Sequence, residues 1–473
     1  MPEYREQLTW RHAITVPLCF FIAYGLWSLP NLLLHWHVYN FAIPFSLTWL
    51  AIAVAPIQLA RQGRKILAVA VAILGIVALR ISIGYVVAGH VPAGDAHMYL
   101  LLAEDLRAGR GLEVFEPFMG TETRALFPPL YPIVLTAWSF VAGLSTASLI
   151  ILGILTDALA AMVIVTLASA LGNRRAGLVA AWLYLIWPST LLSAPLAQKE
   201  GFCALLVLVL ALQWVRYAQV ARPGMREAAA IGVTAGLLAL TQPGELPLAG
   251  LFGLVALGCD KKRLLLTSLT ALPTAMAAVM LPWWVRNLAV FGSFVPLTSA
   301  GGYGLWVGNN PNADGHWMPP PHALYGLPEI AFGHAAARLA MGWIAAHPLD
   351  FVKVTVAKAL RGWGIAEFGV SRLADLKPAT DAGISGSLFV LAQALHVSVL
   401  FIAALRTSIL RVPGSRPLLV LVLACLIQTL CFGAFFEFGE RHREFATPFL
   451  LLLAMWGVKD PHATKRKRST VSG

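Results

Sequence analysis

Charge is what this chain has least of. Only 12% of its 473 residues are Asp, Glu, Lys or Arg, against 58% that are hydrophobic. No polar stretch is long enough to build a separate soluble domain. Apolar runs of about 18–22 residues recur instead, as a polytopic helical membrane protein requires. Cysteine is scarce too. Cys19, Cys203, Cys259, Cys425 and Cys431 all lie within or at the ends of apolar segments, which suits packing better than a disulfide framework or a C-x-x-C metal site. Neither G-x-x-x-x-G-K-[ST] nor H-E-x-x-H occurs, so ATP use and zincin chemistry lack a basis in the sequence. There is no internal repeat. Residues 1–35 have no small-residue cleavage site and are followed by more apolar runs, so they read as a retained anchor.

Acidic residues are outnumbered, 23 against 35 basic ones, for a formal charge of +12. That excess could suggest a nucleic-acid partner, but its distribution points to topology. Apolar runs at about 13–34, 41–60 and 65–88 precede a polar segment beginning near Asp95. Further runs lie near 147–171, 176–194, 201–215, 228–241, 246–258, 264–285, 384–405, 417–436 and 445–458. Basic groups gather on alternate connections: Arg61, Arg64 and Lys65; Arg174 and Arg175; Arg216, Arg222 and Arg226; Lys261, Lys262 and Arg263; and Lys465 to Arg468. The positive-inside rule then gives an all-α protein of about 12 transmembrane helices with both termini cytoplasmic. Leu130–Gly143 is too short for a comfortable span. It reads as an interfacial or re-entrant helix, with Trp138 at headgroup level.

The expected organisation is an N-terminal helical hairpin (1–60), a transmembrane core (61–285) with a first outer loop (89–146), and an outer loop (286–383). C-terminal membrane helices (384–459) and a basic cytoplasmic tail (460–473) complete it. The first outer loop is the centre of interest, because it concentrates Asp95, His97, Tyr99, Glu104, Asp105, Arg107 and Arg124 before Pro128-Pro129. Asp95 opens a helical pattern, Tyr99, Leu102 and Leu106, that stops at Gly109 and Gly111. It is predicted either as the helix N-cap or as a carboxylate acting as general base at a cavity mouth. The two are compatible. Arg124 is either a snorkelling interfacial residue or a bidentate phosphate clamp. Lys199-Glu200 reads as a local ion pair, or as a second active-site carboxylate beside a cation. Trp283 and Trp284 suit an aromatic belt, and Arg286 just beyond could anchor or bind phosphate. Lys353, Lys358 and Arg361 fall at helical spacing among Phe351, Val354, Leu360 and Trp363, which predicts an amphipathic helix on the membrane surface.

Taken in order, these motifs resemble a known family. Gly94-Asp95 with Tyr99 and Gly109, then Pro128-Pro129-Leu130-Tyr131-Pro132, resembles the first loop of the GT-C glycosyltransferases, which include protein O-mannosyltransferases and lipid A aminoarabinose transferases. Pro282-Trp283 to Arg286-Asn287, with Phe291-Gly292 and Gly308-Asn309-Asn310-Pro311, looks like the family's second hallmark. Glu440-Arg441-His442-Arg443 is similar to its final charged motif, which usually has Tyr where His442 stands. The resemblance covers about residues 90 to 455. It implies transfer of a sugar from a polyprenyl-phosphate carrier to a protein, glycan or lipid acceptor on the extracytoplasmic face of the plasma or inner membrane. Asp95 and Glu200 would be catalytic. His97, Tyr99, Arg124, Lys199, Arg286, Asn287, Lys353, Arg441 and Arg443 would bind substrate. Phe127 stands where members with a basic residue before Pro-Pro use it for phosphate, so Arg124 would have to substitute. Gln242 stands where an arginine often precedes Pro, and residues 1–60 add two spans. No cofactor is demanded, and a divalent metal stays open. The alternative from another class is a transporter or lipid flippase. Such proteins place ionisable groups near the midplane, where only Arg80 and Asp157 fall here.

Overall fold

The computed structural model describes residues 2–36, 42–90, 92–193, 195–258, 264, 266–267, 269–376, 382–409 and 415–457. Cys259, the basic residues 261–263 and the tail 460–473 lie outside the described residues. Among those described, eight helices are long and apolar enough to cross a membrane: Arg11–His35, Ala42–Arg61, Lys65–Val87, Thr146–Ala170, Glu200–Gln219, Ala271–Phe291, Gly383–Ser408 and Ser415–Phe435.

The other four expected spans are short or broken. Residues 176–194 form Arg174–Leu185 and then Pro188–Ser193, and residues 228–241 fall within Met225–Ala239. Residues 246–258 form Leu248–Leu251 running into the 3-10 turn Phe252–Ala256, while 445–458 begin in the 3-10 turn Glu440–Ala446 before Thr447–Met455. Helices of this length fall short of a ~30 Å hydrocarbon core at about 1.5 Å per residue. They are tolerated because protein surrounds them. All of Pro188–Ser193 and the run Thr447–Ala454 are buried, whereas Lys65–Val87 and Ala271–Phe291 are largely exposed along their length.

Close packing fixes the frame. A Cβ at Gly232 would meet the carbonyl oxygen of Leu272 at 2.2 Å, and one at Gly236 would meet Val279 at 2.8 Å. Met225–Ala239 and Ala271–Phe291 therefore touch backbone to backbone, as small-xxx-small pairs do in membranes. The N-terminal helix, Pro2–His35, packs along Ala382–Ile409 and against Pro348–Gly364, where Phe21 stacks on Trp363 at 5.4 Å.

The helix expected on the membrane surface, Pro348–Gly364, exposes Lys353, which pairs with Asp350 at 2.9 Å. The other two basic residues correct that expectation by pointing inward. Lys358 is fully buried and donates to the carbonyls of Gly308, Ala434 and Phe436 at 3.0–3.2 Å. Arg361 binds the carbonyls of Asp314, Gly315 and Phe438. Carbonyls at and beyond helix C-termini lack intrahelical donors, and a cation satisfies them. Burial lowers the Lys358 pKa to about 8, with Arg361 adding to the shift.

The expected first outer loop folds as the helix Asp95–Arg107, an antiparallel pair Val114–Glu116 with Thr121–Thr123, and the 13-residue helix Leu130–Ala142. The last packs on Asp95–Arg107, and Trp138 donates to Ser148 Oγ at 2.7 Å.

Candidate active site

The turn before Asp95 sets the geometry. Gly94 takes φ +61 and is itself the N-cap, so Asp95 is the first helical residue and makes no capping bond. The expected cap role therefore falls on Gly94, which alone tolerates that backbone without strain. Asp95 is left free to turn across the molecule. Its Oδ2 accepts from Arg441 Nη1 at 2.8 Å, while Arg441 Nη2 donates to Glu437. The Asp95 side chain keeps 37% of its surface exposed. Its open face looks into a cavity of about 270 Å³ that Trp317, Arg372, Glu437 and His442 also line.

Electrostatics decide its protonation. Burial pushes the Asp95 carboxyl up, but Arg441, Lys199 and Arg372 together outweigh it and hold the group below the usual carboxylate range. Asp95 is therefore ionised at neutral pH.

Lys199 and Tyr99 form the second wall. Lys199 Nζ donates to Tyr99 Oη at 2.6 Å and sits 5.2 Å over its ring. Tyr99 is buried, edge-on to Phe127 at 5.6 Å and Tyr131 at 5.4 Å. It positions Lys199 and lines neither cavity. Burial lowers the Lys199 pKa, with Asp95 and Glu200 pulling it back. Glu200 opens the helix Glu200–Gln219 and lines a smaller cavity of about 30 Å³ with Lys199, Gln242, Glu245 and His442. Arg441 lines both cavities, as does His442.

The remaining expected site residues are held elsewhere. Arg124 pairs with Glu113 at 2.6 Å on the surface. Arg286 donates to the carbonyls of Arg124 at 2.7 Å and Leu112 at 3.0 Å, and lies over Trp283. Asn287 is fully buried and donates to the Val295 carbonyl at 3.0 Å. Arg443 is buried against the Gly362 and Ile365 carbonyls. His97, half-buried, is absent from the walls of both cavities. Lys353 stays on its surface pair. Arg286, Asn287 and Arg443 tie separate segments together, and none of these groups is gathered around Asp95.

Two residues that sequence reading passed over join the site. Glu437 stands four residues before Arg441, an i,i+4 spacing that could have signalled it. Arg372 lies in the short helix Val370–Leu376, with no motif to mark it. It pairs with Asp375 at 3.3 Å, keeps 32% of its side chain exposed, and lines the large cavity. Among the described residues, no three His, Cys, Asp or Glu side chains converge as metal ligands. Asp95 and Glu437 both face the Arg441 guanidinium, so this donor set does not fit a divalent metal.

No family model and no curated protein matches the chain. Among solved structures it is similar to the oligosaccharyltransferase of Archaeoglobus fulgidus in the apo form, at 16% identity and TM-score 0.44, over 84% of this chain and 52% of that one. The same archaeal enzyme in complex with an inhibitory peptide and a dolichol-phosphate matches at 14% identity and TM-score 0.43, over 80% and 50%. The chain thus spans about half the length of these neighbours.

Proposed function

We propose that this chain is an integral membrane glycosyltransferase that moves a sugar from a polyprenyl-phosphate carrier to an acceptor on the extracytoplasmic face. One observation carries the reading. An ionised, half-open carboxylate from the first outer loop is held among three cations, from the second outer loop, the 286–383 loop and the last charged motif, at the edge of a cavity. The alternation of basic loops supports placing that cavity outside.

The chemistry follows from the charges. In the transfer, the acceptor oxygen forms a bond to the anomeric carbon and the carrier phosphate departs with the bonding pair. Arg372, with donors left over from its Asp375 pair, and Arg441 face the developing phosphate charge. A guanidinium binds such oxygens in bidentate fashion. Asp95 accepts a hydrogen bond from the acceptor hydroxyl and stabilises positive charge at the anomeric carbon. Its depressed pKa makes it a weak final proton holder, so it orients the nucleophile and passes the proton on. Cleaving a sugar–phosphate bond needs no ATP. The loop residues Arg124 and Arg286, tied to Glu113 and to carbonyls, leave the phosphate role to Arg372.

The test is lipid-linked sugar profiling of a strain lacking the chain. Accumulation of one polyprenyl-phosphate sugar, reversed by wild type and by Arg124→Ala but not by Asp95→Asn, is expected. An unchanged lipid-linked sugar profile would refute the assignment.

A further inference from the structure

Arg80 and Asp157 pair inside two membrane-crossing helices, with side chains only 3% and 4% exposed. Ionisable groups at that depth are costly and persist where they serve a pathway or a site. Arg80 still has Nε and Nη1 without a partner among the described residues, and so do Glu200 Oε2, Glu245 Oε2 and Glu444 Oε1. Buried polar atoms in that state call for bound water.

The space for it lies in neighbouring cavities that share wall residues. A cavity of about 30 Å³ touches Asp157, Ser193 and Gly201. The next, about 10 Å³, is walled by Ser193, Gly201, Glu200 and Glu444. Glu200 also lines the third, about 30 Å³, with Glu245, Arg441 and His442. The last two line the large cavity as well. A water needs roughly 10–15 Å³ of such space, so each small cavity holds one or two. Gly201, without a side chain, lines both of the first two. A Cβ there would lie 3.6 Å from Asp157 Oδ1 and 3.8 Å from Ser193 Oγ, ordinary contact distances that fill that space without a clash.

We propose that Arg80–Asp157 and these neighbouring cavities form a buried water file that carries the proton released by the acceptor hydroxyl away from the catalytic cavity, past Glu200 and Gly201. The proton role rests on the glycosyl-transfer reading, whereas the file itself does not. The proton leaves the acceptor oxygen as that oxygen's lone pair forms the new C–O bond. It moves along waters and carboxylates to Asp157 at the far end, which takes it up as its pair with Arg80 loosens, without any oxidation or reduction.

The experiment is hydroxyl-radical footprinting of the full chain in lipid nanodiscs, which labels side chains beside bound water and needs no substrate. Tyr184 and Tyr131 line the file, whereas Tyr217, also buried, touches none of these cavities. The expected result is several-fold stronger labelling of Tyr184 and Tyr131 than of Tyr217, lost in Gly201→Ala. Alanine suits that helical position, so the variant should fold. Turnover in Gly201→Ala should fall about 10²-fold with donor binding unchanged, the size of a lost proton-transfer contribution. Labelling at the Tyr217 level in wild type, or unchanged by Gly201→Ala, would overturn the file. Lost labelling with wild-type turnover would overturn its proton role.

Discussion

Two corners of the molecule carry the same kinds of residue and use them differently. At one, Arg124, Arg286 and Asn287 bind Glu113 and the carbonyls of Arg124, Leu112 and Val295. Most of their donors are occupied by the fold. At the other, Asp95 binds Arg441, Arg372 binds Asp375, and all three leave surface open to a cavity. The difference teaches that residue type and motif position do not locate a site. What separates the two corners is which hydrogen-bonding capacity remains after the backbone has been satisfied.

The sharpest way to break this contrast is Asp95→Asn. It keeps shape and hydrogen bonding but removes the charge, so kcat should drop about 10²–10³-fold, the scale of losing one preorganised electrostatic group. Because Gly94 holds the cap, expression and unfolding temperature should stay near wild type. Near-normal turnover would move the catalytic role away from Asp95.

Arginine replacements should separate the corners next. Charge-assisted hydrogen bonds contribute about 1.5–3 kcal/mol each, so Arg372→Ala should weaken donor binding about tenfold to a hundredfold, and Arg372→Lys less. Arg124→Ala removes an exposed ion pair that contributes about 0–1 kcal/mol, so donor affinity should hold within a few-fold. Equal losses in both, measured by donor titration, would erase the distinction.

Arg286→Ala should act on stability. Leaving the Leu112 and Arg124 carbonyls unpaired costs about 1–3 kcal/mol, visible as a lower unfolding temperature with activity per folded molecule retained. The smallest expected effect is a pH slope. Burial raises the Glu116 pKa to about 7, with a bond from the Phe118 amide opposing it. The folded chain therefore binds more protons than the unfolded one between the ordinary carboxylate range and about pH 7. Stability falls as pH rises through that window. Glu116→Gln should flatten the slope in thermal scans from pH 5 to pH 8. A slope unchanged by the substitution would assign it to other groups.

Much of the helical scaffold was legible because long apolar runs have few alternatives in a membrane. Asp95, Lys199, Glu200 and Arg441 were legible as charges standing where apolar segments end. The breaking of 176–194, 246–258 and 445–458 was less so. A short helix wrapped in protein has the same hydropathy as one facing lipid, and only packing tells them apart. Lys358 and Arg361 looked like a surface stripe because spacing cannot reveal that carbonyls near Gly308, Asp314 and Ala434 would draw them inward. Arg372 had no pattern around it. Its place depends on a chain path that brings it beside Gly94, whose Cβ position lies 3.7 Å from Arg372 Nη1.

The central claim is that this cavity cleaves a lipid-linked sugar phosphate. The most direct measurement incubates purified chain in nanodiscs with the lipid extract of the deletion strain and an acceptor fraction, and assays free polyprenyl phosphate. Release by wild type and by Arg124→Ala, with none from Asp95→Asn, is the expected result. Lipid-linked sugar left intact by wild type, or carried across the bilayer uncleaved, would contradict it.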